Sequence, residues 1–373
     1  MATSPKQSAR SKIKQLIFGK PKDLRDRTLF HRLALIPFLA WVGLGADGLS
    51  SSAYGPEEAF RALGEHKYLA VLLFAMTAIT VLVISAAYRR IIEAFPHGGG
   101  GYVVASKLLG RKVGVVSGCA LLVDYVLTIT VSVAAAGDAL FSFMPLSVHA
   151  WKLPSEIGII VGLTALNIRG VRESVMVLTP IFITFVITHL IAIVWGIFGH
   201  IPELPATAQS ITMGFQGGLQ TLGPWALFLL FIQAYSMGGG TYTGIEAVSN
   251  GLPIMREPRV ETAKRTMTYM ALSLAFTASG LLICYLLWKT APVEGKTLNA
   301  VLFSQIAGSS PLGSTFVIVS LLAEGLLLVV GAQAGFIDGP RVLANMAVDS
   351  WVPRRFSALS ERLTTANGIV LMG

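Results

Sequence analysis

Charge is what this sequence lacks first. Only 13% of its 373 residues are Asp, Glu, Lys or Arg, against ~25% in ordinary soluble domains. In contrast, 53% are hydrophobic and the mean hydropathy is +0.67. A soluble fold has nowhere to bury that much apolar surface, which makes an integral membrane protein the leading class. Cysteine is nearly absent. Cys119 and Cys284 both lie in apolar blocks, which argues against a disulfide framework and a cysteine-based metal site. The six histidines, His97 and His189 among them, are scattered without the spacing of metal ligands. The run Gly98-Gly-Gly-Gly101 is not followed by Gly-Lys-Ser/Thr. It is therefore no phosphate loop and reads as a hinge leading into an interfacial helix. No spacing of nucleophile and base stands out, so the chain does not read as an enzyme. Alternating ten-residue segments are missing too, which favours helices over an outer-membrane barrel.

What is there is a series of apolar blocks. Eight are expected to span a membrane, each near the ~20 residues that a helix needs to cross about 30 Å of hydrocarbon. They run approximately 33–62, 68–92, 113–143, 155–168, 174–199, 222–251, 262–288 and 313–346, and a ninth begins near Gly368. The first and sixth are interrupted and the fourth is short. Residues 1–32 form a basic tail ahead of a transmembrane domain over 33–373. The net charge of +9 is not a nucleic-acid signature, because its distribution follows the spans. Of the 29 Lys and Arg, 24 fall on one side, and the other side holds Arg61, Lys67, Lys152, Lys289 and Lys296. The positive-inside rule then places the N-terminus in the cytoplasm of a multi-pass protein of the cell membrane. Tyr68, Trp151 and Trp351 sit near span ends, where amphipathic rings anchor at the interface.

The two interruptions carry the functional signal. In span 1, Gly43, Gly45 and Gly48 bracket Asp47, and Ser50, Ser51, Ser52, Tyr54, Gly55 and Pro56 follow. Span 6 reads Gly238-Gly-Gly240, then Thr241, Tyr242, Thr243, Gly244 and Glu246. Each glycine inside a helix costs roughly 1 kcal/mol relative to alanine. Irregular backbone at membrane depth persists only where it lines a cavity or is buried in protein. Breaks at corresponding positions of two five-helix halves point to a secondary transporter with inverted repeats. Freed carbonyls there are expected to face a cation.

Five of the acids within spans carry the argument: Asp47, Asp124, Asp138, Glu246 and Glu324. Each costs about 2.5–3.5 kcal/mol at a helix centre, and no Lys or Arg is expected in a span interior to neutralise them. Hydroxyls, backbone, water or a transported cation or proton must do so. Thr128 lies one turn from Asp124 on the same face, with Tyr125 beside it. At an effective dielectric of 20, Asp47 and Asp124 brought within about 4 Å would repel by about 4 kcal/mol, so an empty site would take up a proton or a cation. Asp138, near the outer end of span 3, reads as hydrated. Glu246 would cap freed N–H groups or carry the proton, and Glu324 would line the pathway.

With these residues the chain resembles the amino acid–polyamine–organocation (APC) transporter superfamily, and within it the bacterial KimA-type potassium importers. The resemblance rests on Asp47-Gly-Leu-Ser-Ser-Ser-Ala-Tyr54-Gly55, Pro96-His-Gly-Gly-Gly-Gly-Tyr102, Asp124-Tyr-Val-Leu-Thr128, Asn167-Ile-Arg-Gly170 and Thr243-Gly-Ile-Glu-Ala-Val-Ser-Asn250. It implies an all-α, LeuT-like inverted-repeat fold with broken helices 1 and 6, and proton-coupled K⁺ uptake by alternating access. It also implies a cation site on Asp47, Tyr54, Asp124, Tyr125, Thr128 and Thr243, with potassium held through Asp47, Asp124, Thr128 and Thr243. The proton falls to Asp124 or Glu246. No cofactor is implied beyond the transported K⁺ and H⁺, and the partners are membrane lipid and the cation. Tyr242 departs from the family pattern and would add bulk and a hydroxyl beside the site. The resemblance also implies a tyrosine in span 10 and a C-terminal region for dimerisation and cyclic-di-AMP control. The sequence ends before both, so the second repeat is expected to be incomplete and a homodimer belongs to the full-length form. The alternative is an amino acid permease of the same superfamily, whose substrate α-carboxylate Asp47 would repel.

Overall fold

A computed structural model of the chain describes residues 35–98, 100–169, 175–360 and 364–373. The basic tail assigned to 1–32 lies outside these residues. The described residues form helices α1 (Pro37–Ser50), α2 (Gly55–Ala62), α3 (Ala70–Ala94), α4 (Gly101–Leu108) and α5 (Arg111–Phe141). They continue with α6 (Lys152–Arg169), α7 (Val175–Phe198), α8 (Leu204–Thr221), α9 (Gly223–Met237) and α10 (Ala247–Asn250). Last come α11 (Arg259–Leu287), α12 (Leu298–Ala307), α13 (Pro311–Val348) and α14 (Ala366–Met372). The chain is an all-helical, multi-pass membrane protein.

Five stretches are long and apolar enough to cross a membrane alone: Lys67–Ala94, Arg111–Phe141, Leu178–Phe198, Arg259–Leu287 and Pro311–Val348. The other expected spans take different forms. The first is α1 and α2 joined by the turn Ser51–Ala53, and the sixth is α9 and α10 joined through Gly238–Tyr242. The fourth is the 18-residue α6. The segment Ile201–Thr221 meets Gly223–Asn250 at 117°, so α8 turns sharply before the sixth span. At the hinge expected over residues 98–101, the short helix α4 begins at Gly101.

Local signals explain where the helices start. Pro37 opens α1 and Pro311 opens α13, at positions where the missing N–H costs nothing. The Ser310 hydroxyl accepts from Gly313 N–H at 3.0 Å, and Thr297 caps α12 through Ala300 N–H at 3.1 Å. Leu312, Val116, Trp225 and Trp195 are exposed, as expected of side chains that face lipid rather than a protein core.

Packing runs through α13. It lies along α5 and touches α1, α7 and α12, and glycines set how close the neighbours come. A Cβ on Gly335 would lie 2.7 Å from the Tyr125 carbonyl oxygen, one on Gly325 would lie 2.7 Å from Leu140, and one on Gly331 would strike the Ser50 hydroxyl. Small residues are the usual means by which membrane helices approach closely. A clip at one end joins the two broken spans: Leu35 N–H donates to Ile254 O at 3.0 Å and Arg256 N–H donates to Leu35 O at 2.9 Å.

The glycine contacts predict a pair of outcomes. Gly335→Ala forces α5 away from α13 and should cost about 1–3 kcal/mol, read as a lower unfolding temperature in detergent. Gly158→Ala places its methyl in open space within α6 and should be neutral or gain up to about 1 kcal/mol.

Candidate functional site

The two helix breaks are pressed together. After α1, the turn Ser51–Ala53 and Tyr54 carry the chain into α2. The Ser51 hydroxyl lies 2.6 Å from Gly48 O and 2.7 Å from Thr241 O, so one side chain bridges both breaks. A Cβ on Gly55 would lie 2.7 Å from Thr241 N, and one on Gly240 would lie 2.7 Å from the Tyr54 ring. Gly244 has φ +84°, a left-handed conformation that suits glycine. A Cβ there would lie 2.6 Å from the Asp47 carboxylate. That carboxylate is buried between Gly244 and Gly331 of α13.

The freed carbonyls are less available than the sequence implies. Ser50 Oγ donates to Asp47 O at 2.8 Å and Ser52 Oγ donates to Leu49 O at 2.7 Å. The three serines thus turn back on the end of α1, and open acceptors at the site come largely from side chains.

The structure distributes the expected residues over both breaks and α5. Tyr54 reaches across to Gly240 O at 3.4 Å, with the Thr243 hydroxyl as a further partner. On α5, Tyr125 and Thr128 are buried and Asp124 is half-buried. The Thr128 hydroxyl has no hydrogen-bond partner among the described residues. An unpaired buried hydroxyl costs about 1–3 kcal/mol. Asp124 is within electrostatic range of Asp47, but Glu246 and Asp338 act on Asp47 more strongly. The Glu246 carboxylate turns back onto its own N–H and that of Gly244, the capping arrangement that was one of its two expected roles.

Two expectations are refined here. Tyr242, expected to add a hydroxyl beside the site, turns that hydroxyl toward Thr77 and Tyr235, with ring centroids 6.1 Å apart in the second pair. Basic partners for acids within the spans do exist. Arg341 pairs with Asp338 at 3.2 Å, Arg61 pairs with Glu57 at 2.6 Å, and Lys152 pairs with Asp138. Asp138 is exposed, in keeping with the hydration expected of it, and also carries this ion pair.

A family model described as amino acid permease matches residues 48–373. The chain belongs to this family. It is 35% identical over 370 residues to the potassium transporter KimA of Bacillus subtilis (strain 168), covering 97% of this chain and 58% of that protein. It is 24% identical over 182 residues to the low-affinity putrescine importer PlaP of Escherichia coli (strain K12), covering 48% of this chain and 37% of that protein. The chain thus spans 58% of the length of the first relative and no more than 37% is matched in the second.

In this permease the sequence reading missed Asp338 and gave Asn250 no role. Asn250 Nδ2 lies 3.1 Å from Asp338 Oδ2 and 3.4 Å from the Tyr125 hydroxyl, tying the sixth span to α13 and α5. Asp338 was concealed because Arg341, three residues on, marks the end of an apolar block. That i,i+3 spacing was itself the available clue. Asp47 and Glu246 therefore lie within electrostatic range of each other and of both Asp124 and Asp338. Among the described residues, no three His, Cys, Asp or Glu converge as a metal cluster.

The orphaned hydroxyl gives a prediction. Thr128→Val removes the unpaired group and nearly preserves shape, so this permease should unfold at an equal or higher temperature without added cation. A clear drop in unfolding temperature would show that Thr128 has a structural partner.

Proposed function

We propose that this permease is a secondary active transporter of a monovalent cation, with K⁺ as substrate, a proton as the coupled ion and alternating access as the mechanism. The observation that carries this reading is the charge balance at the breaks. Asp47 lies within electrostatic range of Glu246, Asp338 and Asp124, and Arg341 is the basic residue paired with one of them among the described residues. Intramembrane acids each cost about 2.5–3.5 kcal/mol, and mutual repulsion adds to that cost. A bound cation or proton relieves both. The α-carboxylate of an amino acid would instead meet Asp47. The relative named as a potassium transporter supports K⁺. The relative named as a putrescine importer favours a second reading, an organic cation, which the same acids would attract.

The proposed ligands are Asp47, Tyr54 and Thr243 at the breaks and Asp124, Tyr125 and Thr128 on α5. Thr128 offers a buried oxygen that no donor among the described residues occupies. Asp124, half-buried, and Glu246, beside the break in span 6, are the proposed proton carriers. The fold reading is a LeuT-like pair of inverted repeats, with the breaks in spans 1 and 6 at corresponding positions. The N-terminus lies in the cytoplasm of the cell membrane, as the asymmetry of basic residues suggests. In the cycle, the outward-open site takes K⁺, a carboxylate takes the proton, the unit of spans 1 and 6 rocks against the rest, and both ions leave inward.

Thermal unfolding and uptake test this reading together. K⁺ at about 100 times its Kd should stabilise the protein by about 2.7 kcal/mol, and the gain should vanish in Asp47→Asn. Asp124→Asn should abolish uptake in cells deficient in K⁺ transport. Putrescine stabilising the protein where K⁺ does not would select the second reading.

A further inference from the structure

A second group of buried polar side chains lies apart from the carboxylates around Asp47. Glu324 of α13 and His189 of α7 are each 1% exposed, with Oε2 and Nε2 3.5 Å apart. On the other edge of the ring, Nδ1 lies 2.9 Å from the Phe185 carbonyl oxygen. The ring stacks on Phe185 and stands edge-on to Phe303, which fixes its plane. Glu324 also accepts from Asn299 Nδ2 at 3.2 Å, and Tyr285 holds Asn299 through a 2.5 Å bond to its Oδ1.

A donor count leaves this group one proton short. A neutral imidazole has one N–H, but the ring lies between two acceptors, the Phe185 carbonyl and the Glu324 carboxylate. With the N–H on Nδ1, the Nε2 lone pair faces a carboxylate oxygen. With the N–H on Nε2, the Nδ1 lone pair faces a carbonyl at 2.9 Å; the Thr188 hydroxyl, 3.4 Å from Nδ1, is a further donor there but does not relieve that contact. One additional proton, on the ring or on the carboxyl, satisfies both contacts. The titratable and charged groups facing Glu324 are Glu57 and Arg61 of α2 and Tyr285 of α11, and Arg61 is already paired with Glu57. Across the cavity Asp138 of α5 is paired with Lys152.

Glu324 has a route to solvent despite its burial. It forms part of the lining of a cavity of about 350 Å³ whose walls include Tyr54, Glu57, Asp138, Glu294 and Lys296. We propose that Glu324 and His189 share one proton and form a second acid–base site, loaded from this cavity and distinct from the cation site. A proton leaves water in the cavity and joins the pair, which passes from one net negative charge to neutral. Release returns the proton to water. The role in transport rests on the proton-coupled reading above; the shared proton itself does not.

Glu324→Gln is the informative variant. Glu324 meets both His189 and Asn299 through Oε2, so the amide removes the titrating carboxyl while keeping one of these two contacts. Infrared titration of the purified full chain should show a one-proton step in the wild type, with carboxyl and imidazole bands moving together. The step should be lost in both Glu324→Gln and His189→Gln. In proteoliposomes, Glu324→Gln should retain stabilisation by K⁺, while its rubidium uptake loses dependence on the pH gradient. If Glu324→Gln titrates as the wild type does, or if the carboxyl band titrates unchanged in His189→Gln, the proposal is overturned. If K⁺ neither binds nor enters the wild type, the cation reading fails, and the infrared step alone still decides the shared proton.

Discussion

The crossing of the two broken spans is the constraint on which the structure depends. Ser51 bridges carbonyls from both breaks, and glycines at 55, 240 and 244 permit backbone contact that any side chain would prevent. The backbone clip between Leu35 and the segment Ile254–Arg256 ties the same spans at one end. Spans 1 and 6 therefore behave as one unit that meets the rest of the protein through side chains and van der Waals contact. The position of Asp47 follows from this crossing, because its carboxylate occupies the space that Gly244 and Gly331 leave.

Charge is handled in three ways within this frame. Glu57, Asp138 and Asp338 have basic partners, Glu246 leans on backbone N–H groups, and among the described residues Asp47 and Asp124 have no basic partner. Membrane proteins tolerate intramembrane acids when each has a partner or a purpose. Asp47 and Asp124 lie along the interface between the crossing and α5, so the tightest backbone packing and the greatest unmet electrostatic demand occur together.

The coarse architecture was legible in the sequence because it rests on strong, local signals. Apolar blocks located the helices, and glycine runs located both breaks. The chemistry of single side chains was less legible. The direction of Tyr242 depends on how the turn Gly238–Tyr242 rotates each residue, and periodicity does not give that. Asp338 escaped notice because its block carries an arginine close to the end, and the serines after Asp47 gave no sign that they would return to the carbonyls of α1. His189 looked ordinary because its partner, Glu324, lies on a helix far along the chain. A donor count, unlike a spacing rule, needs the neighbours in place.

The glycines of α13 have one more consequence. Interlocked side chains resist sliding because knobs must leave holes before a helix can shift. Where α13 faces α1 and α5, at Gly331 and Gly335, it presents bare backbone. Such patches lower the ridge locally: at those two positions a small displacement of the neighbours along α13 meets backbone, while Leu327 and Leu328 of the same helix still interlock with the crossing.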